Sequence, residues 1–476
     1  MAVPANAVPV ISNVQFDAPL IRKMSQQGPR YTSYPTADRF TDQFGMGDYL
    51  QAVNSVRAMG ARNPLSLYVH IPFCDKLCYY CACNKIITKN RSKAEEYLTY
   101  LKREIEIQGK LFADMNTVEQ LHFGGGTPTY LSDAQMGELM AFLRKWFRFA
   151  TDEAGEYSIE IDPRTVSPER VHSLRAQGFN RISFGVQDFD PDVQKAVNRI
   201  QPEECTLGVM QAARDAGFRS ISIDLIYGLP KQTIITMGQT LTKVIAANPD
   251  RISIYNYAHM PALFKPQRRI NEDELPSGET KLDMLSLCIK RLTDAGYVYI
   301  GMDHFAKPTD DLAVAQRQGR LHRNFQGYST HAEAEMVSVG VSAISSVGST
   351  YSQNEKTLEA YYERIEQGEL PICRGIKLNV DDLLRRIIIQ MLMCNFELSI
   401  KSLELAYPIT FANYFAAELD KLRTLEADGL LTIDSEWITV TPKGRLLIRN
   451  ICMVFDRYLN TKQEVKLERL RYSKTI

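Results

Sequence analysis

Six short runs rich in β-branched and aromatic residues recur through the first half of the chain, each followed by a helix-like stretch. They lie at 66–73 (SLYVHIPF), 119–126 (EQLHFGGG), 156–162 (EYSIEID), 181–188 (RISFGVQD), 220–227 (SISIDLIY) and 251–258 (RISIYNYA). The intervening stretches carry helix start signals. Ser92 with Glu95 reads as a capping box, and Leu98, Leu101 and Ile105 follow on one helical face. Ser132 with Gln135 reads as a second box, with Met136, Leu139, Met140, Leu143 and Phe147 as its apolar stripe. Ser167 then Pro168 opens a third helix, and Gly178 is placed to end it. Strand–helix–strand at this spacing means parallel units with right-handed crossovers. Six of them point to an α/β fold of the TIM type, a barrel or partial (β/α)6 barrel rather than a sandwich.

The rhythm changes after about residue 375, where 381–396 and 411–429 read as helices and 430–444 (LLTIDSEWITVTPKG) as a hairpin before another helix. Helices followed by a two-stranded wing look like a winged-helix module. DNA binding is its functional alternative, but no basic stripe accompanies it. The division expected is 1–55 as an N-terminal arm or lid, 56–375 as the catalytic barrel and 376–476 as a mostly helical C-terminal domain. Balanced charge, 56 Lys+Arg against 56 Asp+Glu, removes the bulk electrostatics that nucleic-acid or membrane-surface binding needs. No run reaches the roughly 18 apolar residues of a membrane span. The opening MAVPANAVPVISNV lacks a basic region and is interrupted by Pro4 and Pro9, so a signal peptide is not expected. A cytoplasmic monomer without nucleic-acid or membrane partners is the expectation.

Four of the nine cysteines, Cys74, Cys78, Cys81 and Cys83, fall within ten residues, immediately after the first strand. Cys205, Cys288, Cys373, Cys394 and Cys452 are scattered and read as small core residues. In a parallel barrel the loop after a strand lies on the face where active sites are built. Structural zinc is one alternative, but such sites usually gather two separated pairs, and this is one loop with no second pair. Thiolates at spacing x3 then x2 also suit an iron–sulfur cluster, holding three irons and leaving the fourth open to an amine and a carboxylate.

Cys74-x3-Cys78-x2-Cys81 is the signature of radical S-adenosylmethionine enzymes. The longer run HIPFCDKLCYYCACNK resembles the oxygen-independent coproporphyrinogen III oxidase family. The resemblance extends from GPRYTSYPT through IDLIYGLPKQT and GMDHFA to KGRLLIRNICM. Cys83-Asn84-Lys85 narrows it, because related haem carriers lack a cysteine there. The resemblance implies a radical-SAM barrel with one [4Fe–4S] cluster on Cys74, Cys78 and Cys81. It also implies two S-adenosylmethionine molecules and a role in haem biosynthesis. In the implied reaction, two propionates of coproporphyrinogen III become vinyl groups, giving protoporphyrinogen IX through a 5′-deoxyadenosyl radical. An electron donor and an acceptor, both unidentified, are implied as partners. A haem carrier or a radical methyltransferase would share the cluster and differ in product.

The same resemblance distributes roles. Tyr68, Gly125, Glu160 and Ile344 match positions that bind the cluster-bound S-adenosylmethionine. Tyr80, Gly126, Thr127, Gln187, Arg199, Asp224 and Ala258 match those of the second molecule, with Tyr80 standing where the family has phenylalanine. His70, Phe325 and Gln326 match positions linked to activity, and Cys83 is expected to be an active-site thiol rather than a fourth iron ligand. Read from the residues alone, alternatives remain. The Gly124–Pro128 motif lacks dinucleotide-site spacing and could be a plain tight turn. Glu160 could be in a buried ion pair with a helix, and His70 could be a hydrogen-bonded structural histidine. The four carboxylates of the substrate call for local basic residues, with Arg22, Lys23, Arg30, Arg320 and Arg323 as candidates. Arg30, Tyr31 and Tyr34 would suit an arm closing over a flat polyanion, whereas a structural strap would also bury these aromatics.

Overall fold

The computed structural model describes residues 13–60, 63–113 and 117–459. The first twelve residues, where no targeting segment is expected, lie outside them, as do 460–476. All six expected strands form: β1 (Leu65–Ile71), β2 (Thr117–Gly125), β3 (Glu156–Ile161), β4 (Arg181–Gln187), β5 (Ser220–Tyr227) and β6 (Arg251–Asn256). Each is followed by an outer helix: α1 (Ser92–Phe112), α2 (Asp133–Trp146), α3 (Pro168–Ala176), α4 (Glu203–Asp215), α5 (Ile234–Ala247) and α6 (Gly278–Asp294). Alternation divides each strand. On β1, Leu65, Leu67, Val69 and Ile71 are at most 2% exposed and belong to the main core, while Ser66, Tyr68 and His70 point the other way, into the barrel. The Ser132–Gln135 box closes as expected at 3.2 and 2.9 Å. The Ser92–Glu95 box does not form. Asn90 stands one turn position earlier, and its side chain takes the bonds from Ser92 N and Oγ at 3.1 and 2.7 Å.

The barrel is extended at both ends by strands that the sequence reading did not include. They are β7 (Val298–Gly301), β8 (His304–Ala306), β9 (Glu335–Val339), β10 (Ile344–Val347), β11 (Thr350–Asn354) and β12 (Ile372–Lys377). The sheet runs β7-β8-β6-β5-β4-β3-β2-β1-β9-β10-β11-β12, with β9 through β6 parallel and each outer strand antiparallel to its neighbour. β9 is a seventh parallel strand, in register with β1 from Leu65–Glu335 to Val69–Val339. Among the described residues no pairing joins β7 to β12, so the barrel stays open along one seam. A hairpin, His322–Asn324 with Gly327–Ser329, packs against the inner side of the sheet at β1 and β2: Gln326 Nε2 donates to Ser66 Oγ at 3.3 Å and Gln120 Nε2 to Ser329 Oγ at 3.2 Å.

Beyond β12, helices Val380–Asn395, Ile400–Ala406, Ala416–Ala427 and Ile448–Val454 surround a three-stranded antiparallel sheet. The expected hairpin is there, Leu431–Ile433 with Trp437–Val440, joined by Glu397–Ser399.

The arm differs from the expectation in two ways. It contains helices, Ala18–Met24 and Met46–Ala58. Its aromatics do not face a ligand: Tyr31 and Tyr34 are 2% and 1% exposed and point into the C-terminal domain. Tyr31 Oη donates to Asp456 at 3.0 Å, and Tyr34 Oη accepts from Arg457 N at 3.2 Å. Arg449 grips the arm's backbone at Gly28 and Pro29. This is the strap arrangement, seated between barrel and C-terminal domain. Arg30 alone turns the other way, to Asp303 beside the barrel mouth.

Candidate active site

The cysteine loop leaves β1 and is tied off at its base. Phe73–Cys74 pairs with Ile86–Ile87, and the Ile86 and Thr88 amides donate to Pro72 and Cys74 carbonyls at 2.7 and 3.0 Å. The glycine motif docks against it from β2: Gly126 N donates to Ile71 O and Thr127 N to Phe73 O, both at 2.8 Å. A Cβ at Gly126 would stand 2.7 Å from Phe73 O, and one at Gly125, where φ is +112°, 2.6 Å from His70. The motif is therefore more than a turn, since only glycine lets the two segments close this tightly.

Hydrogen-bond donors surround the thiols. Thr127 Oγ1 reaches Cys74 Sγ at 3.4 Å, Arg199 Nη1 and Arg164 Nη2 reach Cys78 Sγ at 3.5 and 3.6 Å, and Asp162 holds both arginines. The neighbouring Cys83 thiol draws Cys81 down from the ordinary thiol range, and Cys81 in turn pushes Cys83 up. Burial pushes Cys74 up to about 11. Soft thiols on separate corners of a loop, amid cationic and hydroxyl donors, fit a cluster with several irons. Of the scattered cysteines, Cys288, Cys394 and Cys452 are buried core residues as expected, while Cys205 and Cys373 are half-buried.

Inside the barrel the inward side chains form a polar wall. Tyr68 stacks on His122 at 5.8 Å, and His122 Nε2 lies 3.3 Å from Glu160 Oε1. Glu160 is 47% exposed at its side chain and, among the described residues, its charge partner is His122 on the neighbouring strand rather than a helix side chain, so it is not the buried helix ion pair. His70 is 6% exposed, bonded to Tyr68 Oη at 3.1 Å and Asn84 O at 3.2 Å, and burial lowers its pKa, leaving it neutral. It links the lumen to the end of the cysteine loop. Gln187 adopts φ +70°, a left-handed conformation that is strained for a non-glycine residue, and Arg199 Nη2 donates to Gly185 O beside it at 2.5 Å. Arg199 is 6% exposed with its Nε unpartnered. Asp224 accepts from Ser183 at 3.2 Å, and burial followed by the Glu160 charge raises it to about 6. Tyr80 packs beside Tyr79 on Val197, Ile226 and Tyr257.

Thus Thr127 and Arg199 meet the cysteine loop, Gln187 lies with Arg199 at Gly185, and Tyr68, His122 and Glu160 adjoin one another on neighbouring strands. Ala258 lies just past β6 on a cavity of about 730 Å3. Phe325 and Ile344 pack together against an apolar cluster with Phe40 and Tyr351. Of the basic candidates, Arg22 and Lys23 pair on the surface with Glu279 and Asp428, and Arg320 bonds Gln318. Arg323 is buried. Three contributors were not singled out from sequence: His122, Asp162 and Arg164. Each has a signal, being an inward position or the first residues past a strand end, but only the register shows which partner it meets.

The Radical SAM superfamily matches residues 68–244 and the HemN C-terminal domain matches 378–447. The chain is 51% identical over 467 residues to the oxygen-independent coproporphyrinogen III oxidase of Pseudomonas aeruginosa, covering 98% of this chain and 100% of the relative. It is 47% identical to the Synechocystis enzyme of the same name over 458 residues, 95% and 97% of the two chains. The solved structure of coproporphyrinogen III oxidase (HemN) from Escherichia coli, a radical SAM enzyme, superposes with a TM-score of 0.89 at 51% identity, over 94% of this chain and 100% of that one.

Proposed function

This chain belongs to the oxygen-independent coproporphyrinogen III oxidase family of the radical SAM superfamily, and we propose that it converts two propionates of coproporphyrinogen III to vinyl groups, giving protoporphyrinogen IX. When bound, the cluster and S-adenosylmethionine supply a 5′-deoxyadenosyl radical that removes the β-hydrogen, after which loss of CO2 leaves one electron per propionate for an acceptor. The chain's own residues position these parts and exclude water.

Cys74, Cys78 and Cys81 would hold one [4Fe–4S] cluster, with Thr127, Arg164 and Arg199 donating to its sulfur ligands. Tyr68, Gly125, Glu160 and Ile344 are assigned to the S-adenosylmethionine on the cluster. Tyr80, Gly126, Thr127, Gln187, Arg199, Asp224 and Ala258 are assigned to a second molecule. His70, neutral and bonded to Tyr68, would orient that tyrosine, and Gln326 would brace the barrel floor through Ser66. Phe325 would act through its aromatic cluster rather than by contact with the reacting atoms. Cys83, whose thiol neighbours Cys81, is the active-site thiol. We divide the chain into an arm (1–55), a barrel (56–375) and a C-terminal domain (376–476).

The observation that carries this reading is the cysteine loop itself, with Thr127, Arg164 and Arg199 within hydrogen-bond reach of the Cys74 and Cys78 thiols. Anaerobic incubation with coproporphyrinogen III, reductant and S-adenosylmethionine, followed by analysis of the porphyrins, tests it. Cys74→Ser, Cys78→Ser or Cys81→Ser should abolish the brown absorbance, because each removes one of three anchors. Cys83→Ser should keep the absorbance and form no protoporphyrinogen; loss of its iron would make Cys83 a ligand instead.

A further inference from the structure

At the far end of the sheet from β1, the lumen wall carries a cationic cluster with no assigned role. Arg323 is 3% exposed, yet its Nε and Nη1 have no hydrogen-bond partner, and among the described residues it makes no ion pair. Its guanidinium lies 4.7 Å from the Tyr328 ring. His304 is wedged edge-on between Tyr255 and Tyr328 at 6.0 and 5.2 Å, with its Nδ1 also unpartnered. Burial and the charges of Arg323, Arg30 and Arg251 hold this imidazole well below its ordinary pKa, so it offers one N–H. Arg30 reaches in from the arm over Tyr255, paired with Asp303. It also lines the 730 Å3 cavity with Tyr227, Asn256 and Ala258, while Arg323 lines a second cavity of about 780 Å3 with Asn324 and Phe325.

A buried guanidinium with unmet donors is costly unless an anion accepts from it. Aromatic faces beside it suit a ligand that is planar and apolar apart from its carboxylates. His304 is in register with Ser253, and Ser253 with Asp224, so the cluster is at the level of the assigned cofactor residues but two strands further round. A tetrapyrrole presenting one propionate to the cysteine-loop side would extend its others across this distance.

We propose that Arg323, with His304 and Arg30, binds the carboxylate of a propionate that is not the one reacting, and so sets which side chain faces the radical. This rests on the functional reading above. The probes are coproporphyrin III and its tetramethyl ester, titrated by fluorescence onto the reconstituted enzyme. Wild type should favour the acid. Arg323→Gln should weaken acid binding about tenfold or more, the scale of one charged hydrogen bond, and leave ester binding, iron content and substrate-free S-adenosylmethionine cleavage unchanged. Arg323→Lys should recover part of the preference. Unchanged acid affinity in Arg323→Gln, or equal loss of acid and ester, overturns the assignment. Should that variant not fold, Arg30→Gln on the half-exposed arm must lower the preference in the same direction, or the assignment falls. A wild-type enzyme that binds neither probe and forms no protoporphyrinogen instead refutes the functional reading.

Discussion

Asp224 illustrates how a site residue is held at a cost to stability. Burial and the neighbouring Glu160 charge raise its pKa from 3.8 to about 6, so the folded state binds its proton more tightly than the unfolded chain does. The penalty is absent below the unfolded value, grows as pH rises towards the folded one, and is complete above about pH 6. Replacing it by Asn should stabilise the protein by roughly 2–3 kcal/mol at about pH 8, and by about half of that near pH 5. Thermal unfolding at the two values checks the sign, and product formation should fall in the same variant. A gain that was larger at the lower pH would mean that the carboxylate is stabilised by partners rather than strained. The inward carboxylates Glu160 and Asp224 could be read from alternation within their strands. Their mutual influence could not, because it depends on which strands neighbour each other.

At the scale of elements, two glycines with the same backbone freedom have opposite roles. Gly126 abuts backbone atoms of the strand leading to Cys74, with Pro72 C at 2.8 Å and Phe73 O at 2.7 Å from a built Cβ. Backbone cannot swing aside, so Gly126→Ala should cost about 1–3 kcal/mol and reduce iron content after reconstitution. Gly137, in α2, has only the Gln177 amide within 4 Å, at 3.8 Å. There an alanine should stabilise by about 0.5–1 kcal/mol through helix propensity, without touching iron content. Parallel denaturant curves and iron assays on the two variants separate packing from propensity. The strands and helices themselves were legible because periods of two and 3.6 are local. Caps were less so: Asn90 replaces the expected Ser92 box because a side chain just outside the helix reached the same donors first.

For the whole molecule, the arm joins the barrel to the C-terminal domain. Ile21, Tyr31 and Tyr34 are each at most 2% exposed, and Arg449 closes on the arm's carbonyls. Deleting residues 1–36 should therefore lower Tm by several degrees and open the segment beyond residue 380 to protease, while the cysteine loop, held by β2, keeps its iron. A truncated protein as protease-resistant as the full chain would show that the strap contributes nothing. The sequence alone determined the barrel, its order of strands and helices, and the loop that carries the three spaced thiols, since all of these follow from short-range pattern. Only the tertiary structure decided the rest. β9 joins β1 across more than 260 residues, the hairpin at 322–329 bonds to the inner side of β1, and Tyr31 and Tyr34 turn to the C-terminal domain while Arg30 faces the mouth. The reason is physical: a side chain's local pattern says whether it will be buried. Its partner is set by long-range register and by competition among surfaces, which no window of neighbouring residues contains.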